Sequence, residues 1–406
     1  MQNKKVYFQL CIMMLMQYFI FAVWWVPLAA YLNNTIRLEI NQIALVLSAM
    51  AIGSMASPFI GFIADRRFPA QKVLALLNLL TAALVFLATQ QSCFPGLMIT
   101  VTLIMLCYMP TWSLTSSIAM THAPAEQFPR IRMMGTIGWV ASGLFSLTAI
   151  YIFKVNLFDC SSLPLYCGAA AGLLATVLNL FLPNTPPTQT EKKKISVIDI
   201  LGLRTLATLK SRNFNIFIII SFLAVIPFTL YHAFGSMFFA DEQVRNITVT
   251  MNWGQAAEML FLFFATGILI KYGFKKTLLF GLAAMFLRYA ALYLGVELGQ
   301  QWWYSIGILT HGLIFGLFFV CGQVYTDKAV PKEMRAQAQG FLAFMLWGVG
   351  FFAGTKINGY LIEKFRLEDK CDWGLLFLIS AIFTLIVIGL LIALFKSTEG
   401  QVKSEK

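Results

Sequence analysis

Residues 251–271 read MNWGQAAEMLFLFFATGILIK. One glutamate apart, this is an apolar run long enough for a helix to cross a bilayer core of about 30 Å. Glu258 is the only carboxylate deep inside such a run; the other acids sit at segment ends or in polar loops. An ionised side chain at the bilayer centre costs about 2.5–3.5 kcal/mol on insertion scales. A group of this kind persists where it faces a wet cavity, meets a partner or carries a proton. All three belong to a path through a membrane.

The same kind of run recurs on both sides. Twelve are present, at 6–32, 41–63, 71–91, 95–120, 132–153, 163–182, 213–239, 251–271, 274–295, 302–326, 336–362 and 373–395, here called spans 1 to 12. The fourth, tenth and eleventh are longer than a straight crossing needs and are expected to tilt or bend. With 59% hydrophobic and only 12% charged residues, a soluble fold is excluded. The short alternating segments of a membrane barrel are absent from the sequence. The chain therefore reads as an all-α polytopic membrane protein.

A net charge of +12 invites a nucleic-acid partner, but the placement of the charges argues against one. With the N-terminus set inside, only Arg37, Lys154, Arg245, Lys364, Arg366 and Lys370 fall on the outer side, and Arg288 and Lys356 lie within spans. The remaining Lys and Arg all fall inside. This is the positive-inside bias, with both termini cytoplasmic. The first span follows Lys4 and Lys5, lacks a small-residue cleavage site, and is expected to be retained. The seven cysteines form neither CxxC nor a metal-ligand spacing, so no metal or other cofactor is expected. Cys160 and Cys167 bracket an outer loop, where a disulfide or two small core residues both fit.

A polar stretch divides the chain. Residues 1–182 form an N-terminal six-helix half and 213–395 a C-terminal one. Between them, 183–212 is a cytoplasmic linker containing NTPPTQTEKKK, and 396–406 is a cytoplasmic tail. Ile195–Lys210, ISVIDILGLRTLATLK, alternates at helical spacing and suits a helix on the membrane surface. The halves echo one another. GFIADRRFPAQKVL begins at Gly61 and GILIKYGFKKTLL at Gly267; RIRMMG covers Arg130–Gly135 and RAQAQG covers Arg335–Gly340. Both pairs are offset by the same distance to within one residue. Two pseudo-symmetric six-helix halves, with a site between them near mid-membrane, describe the major facilitator architecture. In the loop between spans 2 and 3, Asp65, Arg66 and Arg67 suit pairing with helix ends, hence gating; the arginines also fit a plain topology signal.

Three stretches narrow the reading: FPRIRMMGTIGW (Phe128–Trp139), GQAAE (Gly254–Glu258) and PKEMRAQAQG (Pro331–Gly340). With GFIADRR (Gly61–Arg67) and FLRYAALY (Phe286–Tyr293), they make the chain resemble, nearly end to end, the bacterial nucleoside–proton symporters of the major facilitator superfamily. The resemblance implies proton-coupled nucleoside uptake across the bacterial inner membrane by alternating access, in a multi-pass protein acting as a monomer. It also implies that Arg132, Thr136, Trp139, Gln255 and Glu258 line the substrate cavity, with Glu258 carrying the proton. Their spacing agrees. Arg132, Thr136 and Trp139 follow i, i+4, i+7, and Gln255 and Glu258 follow i, i+3, so each set shares a helix face. A cation, hydroxyl, amide and carboxylate suit ribose and base edges, and the indole suits stacking. Each residue also has a plainer reading. Arg132 fits a snorkelling charge, Trp139 packing, Thr136 a bond to its own helix, and Gln255 a bond between helices.

The chain departs from the family at two places. On span 7 the family's two amides are replaced by Thr229 and His232. On span 10, where the family carries tyrosine, phenylalanine and aspartate, this chain has His311, Phe315 and Gly316. The resemblance places Thr229, His232, His311 and Phe315 in the substrate cavity. A histidine titrates near neutrality, so both a share in the proton and a neutral hydrogen bond are open to His232 and His311. Lys356 suits pairing with Glu258, binding an anionic solute, or snorkelling. Arg288 matches the family and reads as structural. These changes leave a symporter for another glycoside or sugar as the alternative substrate class. A membrane enzyme lacks support, since no HExxH, GxSxG or P-loop pattern occurs. A membrane sensor is equally disfavoured, because no cytoplasmic stretch is long enough for a signalling domain.

Overall fold

The structure is a computed structural model that describes residues 4–187, 211–331, 334–367 and 371–396; at 60–67, 125 and 336 it describes the backbone alone. The expected surface helix at Ile195–Lys210 and the tail beyond 396 lie outside these residues, apart from Lys210's neighbours from 211 onward. Among the described residues, eleven helices are long and apolar enough to cross a membrane. In hydrocarbon every backbone N–H and C=O must be satisfied within its own segment, which is why nearly all of the apolar sequence is helical.

One of the eleven, Ile247–Leu298, runs for 52 residues. A straight helix of that length would measure about 78 Å, more than twice the bilayer core. Gly273 breaks it, with φ 75° and ψ 173°, a conformation that residues with a Cβ rarely adopt. The break falls between spans 8 and 9, so eleven helices make twelve crossings. Their limits agree with the sequence reading to within about a turn.

The three long spans are irregular, each for a visible reason. Span 4 is interrupted at Met109–Pro110, between the helices Phe94–Tyr108 and Thr111–His122. Span 10 contains a π-helical segment at Phe315–Val320 and span 11 another at Phe344–Gly350. Such segments shift the register of the helix and often mark functional sites. Span 7, Arg212–Asp241, contains Pro227 in its interior.

The chain forms two compact units. One takes the described residues up to 187 together with Ala233–Asn252, the end of span 7 and the start of span 8. Within it, span 1 packs on spans 5 and 6, span 3 on spans 4 and 6, and span 2 on span 4. A buried polar knot joins three of these helices: the Gln17 amide donates to Thr111 Oγ1 at 2.7 Å, and Asn78 donates to Gln17 Oε1 at 3.0 Å. Such bonds act as glue where lipid offers no alternative partner. Cys160 and Cys167 are free, and Cys160 Sγ accepts from Asn34 at 3.6 Å.

Ala233–Asn252 is held to that unit by a row of polar bonds. Asp159, only 2% exposed, accepts from Ser146 Oγ at 2.9 Å, from the Thr248 backbone N–H at 3.2 Å and from Thr248 Oγ1 at 2.7 Å. Further along, Arg245 donates to Asn156 at 2.6 Å, Asn246 to Tyr151 at 3.1 Å, and Asn252 to Ser142 at 3.2 Å. Burial pushes the Asp159 carboxyl above the ordinary carboxylate range, and the bonds from Thr248 and Ser146 pull it part of the way back.

The second unit takes 211–His232 and everything described from Trp253 onward. Asn213 and Lys396 exchange side-chain and backbone bonds at 3.0 and 3.1 Å, and Lys275 caps Ile392 O at 2.9 Å. These join the starts of spans 7 and 9 to the end of span 12. Phe263 and Ile270 on span 8 are 84% and 67% exposed, which suits a lipid-facing side.

Candidate functional site

In the first unit, Arg132, Thr136 and Trp139 lie on one helix, Phe128–Ala141, opened by Pro129 in its first turn. Thr136 and Trp139 are buried and Arg132 is half-buried. The Arg132 guanidinium stands 4.3 Å from the centre of the Tyr18 ring. This approach depends on Gly135, where a Cβ would lie 2.6 Å from the Tyr18 ring. Tyr18 stacks on Trp112 at 5.6 Å, and Phe21 meets the edges of Trp112 and Trp139 at 6.0 and 5.8 Å. Trp112 donates to Tyr108 Oη at 3.0 Å. The result is an aromatic wall with a cation on its surface, suited to a planar, hydrogen-bonding solute.

In the second unit, spans 7, 8 and 10 bring the remaining residues together. His311 Nε2 is 2.9 Å from Gln255 Nε2 and 3.7 Å from Glu258 Oε2. Glu258 and His311 are 6% and 4% exposed. The close pairing of spans 8 and 10 rests on Gly312: a Cβ there would lie 2.5 Å from the Ala257 carbonyl and 2.6 Å from the Glu258 nitrogen. At 2.9 Å the Gln255 amide donates to a neutral His311. Once protonated, the same Nε2 becomes a donor facing the Glu258 carboxylate. One imidazole thus has both an amide and an acid within reach of a single nitrogen.

Rings continue the arrangement in both directions. His232, Phe228, His311 and Phe315 form a column, with successive centroids 5.2, 6.2 and 6.1 Å apart and interplanar angles of 21°, 28° and 25°. Phe319 and Trp347 meet the side of Phe228 at 4.8 and 6.0 Å. Thr229 is fully buried; its hydroxyl donates to Ile226 O at 2.8 Å and accepts from Asn358 at 2.9 Å. Arg288, also fully buried, donates from Nε to Gly307 O at 3.2 Å, one turn before His311, and lies 4.4 Å over the Tyr231 ring. Lys356 is half-buried on span 11. Asp65, Arg66 and Arg67 end the helix Ile40–Arg67, and their side chains lie outside the described residues.

The structure therefore collects Arg132, Thr136 and Trp139 in one cluster, and His232, Gln255, Glu258, His311 and Phe315 in another. Tyr18, Trp112 and Phe228 were not singled out from the sequence. Among 37 phenylalanines a single buried ring carries no signal of its own. Phe228 stands directly before Thr229, but its ring contacts apart from His232 come from spans 10 and 11. Among the described residues no group of three or more His, Cys, Asp and Glu side chains is placed to hold a metal.

The family model described as Nucleoside H+ symporter matches this chain over residues 4–400. The chain belongs to that family. It is a transporter, not an enzyme. The symporter is similar to the putative nucleoside transporter YegT of Escherichia coli (strain K12), 33% identical over 98% of this chain and 96% of that one. It is also similar to the nucleoside permease NupG of the same organism, 26% identical over 96% and 95% of the two chains. The crystal structure of nucleoside transporter NupG superposes with a TM-score of 0.86, at 25% identity, over 96% of this chain and 99% of that one. The symporter shares that protein's major facilitator fold, with twelve crossings in two six-helix halves.

Proposed function

We propose that this symporter takes up nucleosides together with protons by alternating access, with Glu258 as the proton carrier. The observation that carries this reading is the position of His311 Nε2, 2.9 Å from Gln255 and 3.7 Å from Glu258. Family membership supports nucleoside and proton as substrates. The buried triad supports a role for these three residues in joining the two. Glu258 is neutralised by a proton when the site occludes, which removes the cost of burying a carboxylate in the membrane. Gln255 and His311 then offer hydrogen bonds to the solute, and the rings of Phe315, His232 and Trp139 offer faces for the base. Arg132 and Thr136 supply a cation and a hydroxyl.

The charge bias supports an inner-membrane protein with both termini cytoplasmic. Asp65, Arg66 and Arg67 then belong to the inner gate, and the working unit is a monomer of two six-helix halves. The test is uptake of labelled uridine and adenosine into proteoliposomes with and without an inward proton gradient. Gradient-driven accumulation that Glu258→Gln abolishes, with exchange retained, is the expected result. Accumulation by Glu258→Gln equal to wild type would overturn the coupling role. Failure of folded wild-type protein with both nucleosides would move the substrate to another glycoside or sugar and make Thr229, His232 and His311 the residues that set the difference.

A further inference from the structure

Pro227 lies inside span 7 and has no N–H to give to the helix ladder. A proline bend in a membrane helix lacks one of the bonds that set its direction, and lipid supplies no substitute. In this chain two other spans reach the helix at that proline. Asn358 on span 11, only 2% exposed, donates both hydrogens of its amide: one to Ile226 O at 2.7 Å and one to Thr229 Oγ1 at 2.9 Å. The Thr229 hydroxyl closes the triangle by donating to Ile226 O at 2.8 Å. From span 9, the Tyr289 hydroxyl donates to Pro227 O. One turn before Asn358, Gly354 lets span 11 come this close: a Cβ there would meet the Thr229 side chain and lie 3.2 Å from Ile226 Cα.

The clamped residues, Ile226 to Thr229, include Phe228. The Phe228 ring stands between His232 at 5.2 Å and His311 at 6.2 Å, and His232 follows it by one helical turn. Any rotation of this short stretch of backbone therefore moves the ring that separates the two histidines. His311 in turn contacts Gln255 and faces Glu258.

We infer that Asn358 is a positioning residue for the histidine column: with Gly354 and Thr229 it fixes the backbone of span 7 around Pro227 and thereby the place of Phe228, His232 and His311. Thr229 serves this clamp through its hydroxyl and does not need to touch the solute. The bearing on transport rests on the nucleoside reading above; the positioning itself does not.

The test uses the full-length symporter in detergent and in proteoliposomes. The chain has three histidines, His122, His232 and His311, so selective ¹⁵N-histidine labelling reports the column against an internal control. Asn358→Leu keeps the approximate volume and removes both donors. The ring nitrogen signals of His232 and His311 are expected to shift while those of His122 stay. The KM for nucleoside uptake is expected to rise about threefold to tenfold, as for loss of one or two neutral hydrogen bonds at a site. The rate per folded molecule at saturation changes less. A merely structural residue would lower the folded fraction without moving either histidine signal. Unmoved His232 and His311 signals in folded Asn358→Leu protein overturn the proposal. Shifted signals with an unchanged KM uphold it and count against placing the histidines in the substrate site. Should Asn358→Leu not fold, Thr229→Val, which removes the two legs made by the Thr229 hydroxyl and keeps the Asn358–Ile226 bond, carries the same test. Unmoved signals in that variant overturn the proposal as well.

Discussion

His311 and Glu258 face one another at 3.7 Å from spans 10 and 8, in helices brought together at Gly312. The pair is separated in sequence and lies too far apart for a neutral hydrogen bond, so it becomes a full ion pair only when the imidazole is protonated. Gln255 holds the same nitrogen at 2.9 Å in the neutral state. His311→Phe separates the two contributions of this side chain, since it retains a ring between Phe228 and Phe315 and removes both nitrogens. The expected result is a rise in KM for nucleoside of about tenfold to a hundredfold, in the range for losing a hydrogen bond to a charged group. Initial-rate uptake over a substrate series checks it. An unchanged KM would mean that stacking alone is used.

Gly312 sets how close spans 8 and 10 can come. Gly312→Ala places a methyl group 2.5–2.6 Å from the Ala257 carbonyl and the Glu258 nitrogen, both of them rigid backbone. Overpacking of this kind destabilises by about 1–3 kcal/mol. Gly254→Ala meets His311 Cβ and Ile308 O at 3.1 Å and should be milder, while Gly389→Ala meets nothing within 4 Å and should be neutral. Thermal unfolding of the three purified variants in one detergent gives the order directly. Equal midpoints would show that the two spans yield freely.

Asp159 gives a pH dependence with a definite sign. Its carboxyl is held above the usual range by burial, so the neutral form is favoured in the folded protein. The contribution is fully present below the unfolded value of about 3.9 and is lost as pH rises through the higher folded value. Asp159→Asn keeps an acceptor for Ser146 and the Thr248 N–H, places an amide donor opposite Thr248 Oγ1, and removes the charge. It should match or exceed wild-type stability at pH 8 and lose that advantage at acid pH. Asp159→Ala leaves Ser146 and Thr248 without their acceptor and should cost about 1–3 kcal/mol at every pH. Unfolding midpoints between pH 4 and 8 test both. A stability advantage for Asp159→Asn that grows on acidification would contradict the sign.

Arg132 and Tyr18 test the aromatic wall. Tyr18→Phe keeps the ring face under the guanidinium and should leave uptake within about twofold of wild type, whereas Tyr18→Leu removes a cation–π contact worth about 0.5–2 kcal/mol. The second variant should raise KM by about twofold to thirtyfold. If Phe and Leu behave alike, Arg132 is positioned by something other than the ring.

The spans were legible in the sequence because a membrane leaves the backbone few choices. An apolar run of sufficient length must be helical, and each helix then presents residues three, four and seven apart on one face. For that reason Arg132, Thr136 and Trp139, and likewise Gln255 and Glu258, were grouped correctly on their own helices. The division between spans 8 and 9 was legible too, since charged residues interrupt the apolar run there, whereas the conformation of Gly273 that makes the break was not.

What joins one helix to another was not in that code. His311 reaches Gln255 and Glu258 because Gly312 has no side chain to keep the spans apart. Phe228 stands between the histidines on a stretch of span 7 that Asn358, 129 residues away from Thr229, bonds from span 11. The resemblance placed Thr229 in the substrate cavity, and only the fold shows that its hydroxyl also bonds Ile226 O and accepts from Asn358 on span 11. By itself the sequence determined the helices, their faces, the charge asymmetry and the resemblance, since these follow from local period and solvent. Only the tertiary structure decided which faces touch, because that depends on the absence of a Cβ at a few glycines and on polar groups that lipid leaves to find each other.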